Sequence, residues 1–301
     1  VTSYSVFWGC AIPATMPQVE ASARRVFATL GVELMEVMGA TCCPLPEAIR
    51  PVCEEAWLAL AGRNLALAAR NRRDLMVICN GCFDTLSEAR AAMSAPSAGK
   101  GPAIAPAETP ARSCPSCQTP ETWGGAVRVR HLVEVLSDDL LDSLRRAAKL
   151  PLGLRVAIQP GCRFTKYGNL HLLEKFLAVL EALGCEVVRC ETEKVCCGFP
   201  ATYLDGEIGQ RISESRACLK LGEIRGKGVD CIAAVCPACI NQLEVAQLRA
   251  RPRGAAAGLP CLHLMELAAL ALGHGPDEIG LDMHRIKPAR LLGAGGGYTD
   301  G

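Results

Sequence analysis

Five cysteines recur in the same order twice along this chain, and few folds can accommodate such a repeat. The first set is Cys10, Cys42, Cys43, Cys79 and Cys82; the second is Cys162, Cys196, Cys197, Cys236 and Cys239. Corresponding members lie 152 residues apart at the first position, 154 at the adjacent pair and 157 at the Cys-x-x-Cys. The two copies therefore differ by insertions of only a few residues. A fixed period of this kind marks an internal duplication and has to be recognised before any local reading.

The surroundings repeat with the cysteines. Residues 4–10 and 155–162 each read as an apolar strand ending in Gly-Cys. After a loop, helical spacing of apolar residues predicts helices over 19–30 and 170–183. These stop at Gly31 and Gly184, where left-handed caps are expected. Short strands follow over 32–37 and 185–189, then the Cys-Cys pairs, then long helices over 54–70 and 207–221. Strands over 75–78 and 231–235 run into Cys-x-x-Cys, which opens another helix. Each copy closes on a similar phrase, His131-Leu-Val-Glu134 and His263-Leu-Met-Glu266.

Strands alternating with helices imply right-handed β-α-β units and a parallel sheet. The expected fold is α/β, with two pseudo-twofold-related repeats. Each repeat is a small, mainly parallel sheet flanked by helices. The first repeat spans 1–150, with an irregular Pro/Ala/Gly/Ser-rich insertion at about 94–125. The second spans 151–292, and 293–301 reads as a flexible tail. Ligands of such sheets sit at the carboxyl ends of the strands. Cys10, Cys79, Cys162 and Cys236 all follow predicted strands, so each set should converge on one sheet edge.

Composition narrows the chemistry. Net charge is +1 and aromatics are 4 %, which gives no reason to expect nucleic acid or an anionic membrane surface. No secretory signal opens the sequence and no apolar run reaches bilayer length, so a cytoplasmic protein is expected. In a reducing compartment 18 cysteines do not form a disulfide framework; thiolate ligation of metal is the better reading. Cys53, Cys185, Cys190, Cys218, Cys231 and Cys261 fall outside the repeated pattern and are read as small packing residues. Four thiolates suffice for a cubane cluster or a zinc ion. A fifth, with two cysteines adjacent, favours a multinuclear cluster over one ion.

The pattern resembles the duplicated cysteine-rich CCG domain, and the whole chain resembles the heterodisulfide reductase B-subunit family. The segments that carry the resemblance are Gly9-Cys10 with Pro13, Ala40-Thr-Cys42-Cys43-Pro44 and Cys79-Asn-Gly-Cys82. They continue with Val129-Arg-His131, Gly161-Cys162, Cys196-Cys197-Gly198, Cys236-Pro-Ala-Cys239, and Glu278-Ile-Gly-Leu281 with His284. The resemblance implies that each five-cysteine set binds a non-cubane 4Fe-4S cluster with a bridging thiolate. It implies facing clusters with a disulfide substrate between them, cleaved or formed by one-electron steps. It also implies, as partners, the ferredoxin-like and flavoprotein components of a heterodisulfide-reductase-type complex. The alternative is an electron-transfer subunit of a flavin-dependent dehydrogenase complex.

Other residues are read more plainly. His131 and His263 are expected to cap helices, with proton donation near a cluster as the alternative. Lys166 and Tyr167 are expected in solvent. Gly81, Gly161 and Gly198 are expected to let backbone approach a cluster. Arg63 and Asn64 interrupt the apolar face of the third helix. Cys114 and Cys117 could form a zinc half-site, a redox dithiol or nothing of consequence; with Cys79 and Cys82 they could make a four-cysteine zinc site.

Overall fold

The computed structural model describes residues 2–94, 127–149, 151–166, 169–204, 206–250 and 258–292. Cys114, Cys117, Tyr167, most of the insertion and the tail lie outside them, as does the Lys166 side chain.

The first repeat contains β1 (Ser3–Phe7), α1 (Ala11–Thr15), α2 (Pro17–Thr29), β2 (Glu33–Glu36), α3 (Glu54–Ala69), β3 (Leu75–Val77) and α4 (Asn80–Ser94). It ends with β4 (Val129–His131), α5 (Leu132–Glu134) running into a π turn, and α6 (Leu141–Ala147). The second contains β5 (Arg155–Gln159), α7 (Cys162–Lys166), α8 (Leu170–Ala182), β6 (Glu186–Val188) and α9 (Gly206–Arg225). Then come β7 (Cys231–Ala234), α10 (Pro237–Ala250), β8 (Cys261–His263) and α11 (Leu264–Ala271); a short α12 (Ala289–Leu292) follows.

Each repeat forms a four-stranded sheet in which every pairing is parallel, with orders β2-β1-β3-β4 and β6-β5-β7-β8. Central strands covered on both faces read as continuous apolar runs. β3 and β7 are buried at every residue. The helices α2 and α8 bury Val19, Ala23, Val26 and Phe27, and Leu172, Leu173, Phe176, Val179 and Leu180, at the helical spacing that predicted them. Both end on a glycine at positive φ, Gly31 at 68° and Gly184 at 74°.

Two elements depart from the sequence reading. The phrases at His131 and His263 begin with three-residue strands, β4 and β8, which complete the sheets; the helices start only after them. The stretches after Cys10 and Cys162, expected as loops, are single-turn helices α1 and α7.

The compact units are divided differently from the repeats. One comprises Val1–Cys10 with Val32–Leu132, the other Ala11–Gly31 with Val133–Gly301. Within the second unit α2, from the first repeat, packs on α11 from the second, and α8 packs on α6. Among the described residues no helix is long and apolar enough to cross a membrane.

Candidate functional site

In each sheet the chain leaves the first strand for a neighbour on one side and later adds strands on the other. The crevice outside the carboxyl ends of β1 and β3, or of β5 and β7, is thus a topological switch point, where α/β sheets place ligands. Cys10 and Cys79 follow β1 and β3; Cys162 and Cys236 follow β5 and β7. The Cys-Cys pair arrives on the loop before the long helix, and the second cysteine of Cys-x-x-Cys sits in the first turn of the next helix.

All ten thiols come together, five in each compact unit. In the first set the side-chain contacts run Cys10–Cys42–Cys43–Cys82–Cys79. In the second they run Cys162–Cys196–Cys197–Cys239–Cys236, the same order position for position. The Cys43 and Cys82 sulfurs are 2.8 Å apart. Protons shared with Cys42 and Cys82 pull Cys43 down to about 6, while Cys82 is pushed well up by hydrogen bonds to Cys43 and Cys79 and by burial. In the second set hydrogen bonds from Cys162 and Cys197 pull Cys196 down to about 2, aided by the Gly198 amide, 3.5 Å from its sulfur, and by Arg216. One sulfur of each Cys-Cys pair is the preferred thiolate, though not the equivalent one.

The remaining cysteines behave differently. Cys185, Cys190, Cys231 and Cys261 are buried as expected of small packing residues. Burial pushes Cys185 up to about 12 and raises Cys231 and Cys261 further, which leaves those thiols inert. Cys53 and Cys218 are exposed instead, and Cys53 caps α3 by accepting the Ala56 amide at 3.4 Å.

A side chain from the long helix ties down each Cys-Cys loop, which the sequence reading did not foresee. The fully buried Asn64 accepts the Thr41 amide at 2.9 Å and donates to the Thr41 and Cys42 carbonyls at 3.3 Å each. Arg63 donates to the Gly39 carbonyl at 2.9 Å. In the second repeat the fully buried Lys220 donates its ammonium to the Thr192 carbonyl and, at 2.9 Å, to that of Val195. Lys220 lies 156 residues after Asn64, between the offsets of the cysteines that flank them. Arg63 and Asn64 are therefore loop anchors, and the doubled polar interruption at that offset was the available signal.

The glycines divide. Gly9 (φ 71°) and Gly161 (φ 85°) precede the first cysteine of each set, and a Cβ on Gly9 would sit 2.8 Å from the Cys82 sulfur. Gly198 (φ 99°) serves another purpose than the one expected: a Cβ there would strike the Ser213 carbonyl of α9 at 2.5 Å. At Gly81 a Cβ would meet Leu45 at 3.4 Å in ordinary contact.

His131 and His263 are fully buried at the ends of β4 and β8. His263 caps α11 in a capping box: its Nδ1 accepts the Met265 amide at 3.2 Å while Glu266 accepts the His263 amide at 2.7 Å. His131 bonds Asn80 through Nε2 at 3.0 Å and meets Phe83 edge-on. His284 lies between two buried carboxylates, Glu244 at 3.0 Å and Glu266 at 2.8 Å. Burial lowers its pKa, but those carboxylates outweigh that and raise it to about 10, so it is an imidazolium.

The donor set fits an iron–sulfur group on its chemistry: five soft sulfurs, two of them adjacent, held at strand ends. Among the described residues no His, Cys, Asp or Glu group is arranged for a single metal ion.

Comparisons with known proteins agree with this geometry. The cysteine-rich domain family CCG matches residues 4–87 and 156–244, each match holding one five-cysteine set. The B subunit of the ferredoxin/F(420)H(2)-dependent CoB-CoM heterodisulfide reductase of Methanosarcina acetivorans is 31% identical, over 96% of this chain and 95% of that one. The 8-methylmenaquinol:fumarate reductase membrane anchor subunit of Wolinella succinogenes is 27% identical, over 96% and 99%. A hypothetical protein from Helicobacter pylori shares the fold at a TM-score of 0.64, 13% identity, 95% of this chain and 52% of its own. The chain belongs to the heterodisulfide reductase B-subunit family and carries the family's cysteine-rich domain twice.

Proposed function

We propose that each five-cysteine set holds one non-cubane 4Fe-4S cluster, and that this chain is the component on which a disulfide between two small thiols is cleaved or formed. The observation that carries the reading is the identical order of thiol contacts at the two switch points. Bound there, such clusters would supply electrons one at a time beside a sulfur-rich surface. Reduction of R–S–S–R′ takes two electrons and two protons, breaks the S–S bond and gives RSH and R′SH. The residues of the chain contribute placement. Asn64 and Lys220 fix the Cys-Cys loops, and Gly9 keeps space open beside Cys82.

The relative from Methanosarcina is named as one component of a ferredoxin-dependent reductase, which supports a ferredoxin-like protein and a flavoprotein as electron-supplying partners. A reducing cytoplasm would keep the thiols available to iron. Anaerobic reconstitution with iron and sulfide should load iron on both sets, give an EPR signal and allow disulfide reduction by reduced viologen. Zinc without iron after anaerobic purification would overturn the cluster assignment; full clusters without turnover on any thiol pair would overturn the catalytic role.

A second reading is an electron-transfer subunit of a dehydrogenase complex. It is favoured by the Wolinella relative, whose name places it in a quinol:fumarate reductase. Full clusters that pass electrons to a partner protein but cleave no disulfide would establish it.

A further inference from the structure

The two thiol sets have the same internal order but opposite electrostatic settings. Three cations lie within reach of the second set. Arg163 acts on Cys162 and Arg216 on Cys196. The buried Lys220 interacts with Cys239, Cys197 and Cys196. At the offsets of the repeat these positions are Ala11, Leu60 and Asn64 in the first copy, all neutral. The shifts of Cys42, Cys43 and Cys82 arise from other cysteines and from burial. Arg63 is the cation at the first loop, and it ends on the Gly39 carbonyl.

A hydrogen bond separates the sets as well. Gln159, fully buried at the end of β5, has its amide nitrogen 3.7 Å from the Cys239 sulfur, and its Oε1 has no hydrogen-bond partner. At the same place in β1, 152 residues earlier, stands Phe7, which has no polar hydrogen to give. The second set is also the more buried: Cys197, Cys236 and Cys239 are buried and Cys162 and Cys196 half-buried, whereas Cys10 and Cys42 are exposed.

Net charge and hydrogen bonds to sulfur are the protein's main controls on the potential of an iron–sulfur group. A buried cation weakly screened by solvent stabilises the form with one more electron, as does an N–H aimed at a ligating sulfur. Resting on the cluster assignment above, we infer that the second five-cysteine set takes the first electron from a low-potential one-electron donor, and that Lys220 and Gln159 set this order. Both are positioning residues, since each acts through the loop or the sulfur it touches. The two sites of a symmetrical duplication thereby acquire a direction: the second fills before the first.

The test is an EPR-monitored redox titration of the anaerobically reconstituted full chain, with iron and sulfide measured on each sample. A Cys42→Ser/Cys43→Ser variant isolates the second set's signal and so assigns it. In the otherwise unaltered protein Lys220→Met should lower that signal's potential by the equivalent of at least a tenfold change in the one-electron equilibrium, about 59 mV, and leave the other signal in place. Lys220→Arg should restore it. Gln159→Leu should shift the same signal the same way by less, without touching the loop anchor. Full iron with potentials unmoved in both variants, or both signals moving together, would overturn the inference. If Lys220→Met fails to load iron, the Gln159→Leu titration decides by the same two outcomes. Wild-type chain that binds no iron would instead overturn the cluster assignment itself.

Discussion

Cys42-Cys43 and Cys196-Cys197 occupy the same bend in their repeats, yet one loop hangs on the amide of Asn64 and the other on the ammonium of Lys220. The difference teaches which features the fold requires and which it leaves free. Sheet order, strand-end cysteines, the glycine before the first cysteine and a buried side chain anchoring the loop are present twice. Charge is present once. So is the His284 clasp: Glu244 answers to Ser87 in the first repeat, and His284 follows the last helix of the second.

The most severe way to break the comparison is to delete one set. Cys42→Ser/Cys43→Ser and Cys196→Ser/Cys197→Ser should each halve the iron and abolish disulfide turnover; loss of all iron from either would show that the sets do not load independently. Next comes the clasp that only the second repeat has. His284→Ala leaves two carboxylates buried without their cation and should cost about 3–5 kcal/mol in urea unfolding. Because the folded state raises the His284 pKa from 6.5 to about 10, its stabilisation is complete below pH 6.5. It should fade as the pH rises through 10, and a flat unfolding profile from pH 6 to 10 would refute that assignment. A smaller effect is expected at Gly198, whose counterpart is Pro44. Gly198→Ala combines a positive φ with a Cβ 2.5 Å from the Ser213 carbonyl and should cost about 2–3 kcal/mol. The smallest concerns a cysteine outside both sets: Cys53→Ala removes only a helix cap and should lower stability by about 0.5–1 kcal/mol while iron content stays full.

Much of this arrangement is legible in the sequence because the duplication checks itself. One Cys-x-x-Cys is ambiguous; the same five cysteines behind matching strands fix both the sheet edge and the ligand set. What escaped had a physical cause in each case. β4 and β8 are three residues long, too short for any alternation, and their burial comes from pairing with β3 and β7 rather than from their own pattern. His131 and His263 stand at equivalent positions but bond differently, because Asn80 offers a side-chain oxygen where Pro237 offers none. Asn64 looked like a flaw in an apolar helix face, and only the loop packed over it shows what it holds. Gly198 was matched to the wrong neighbour, since sequence distance says nothing of Ser213 lying against it.

The reciprocal seating of α2 on α11 and of α8 on α6 has a consequence for how such a protein can change over generations. Two identical copies trading their first helices would have to carry every substitution in both sites at once. A cation useful in one would be imposed on the other. Joined end to end, the copies keep their exchanged helices but are released from that constraint, and each half drifts alone. Lys220 in one half and Asn64 in the other is a difference that only a single chain can hold.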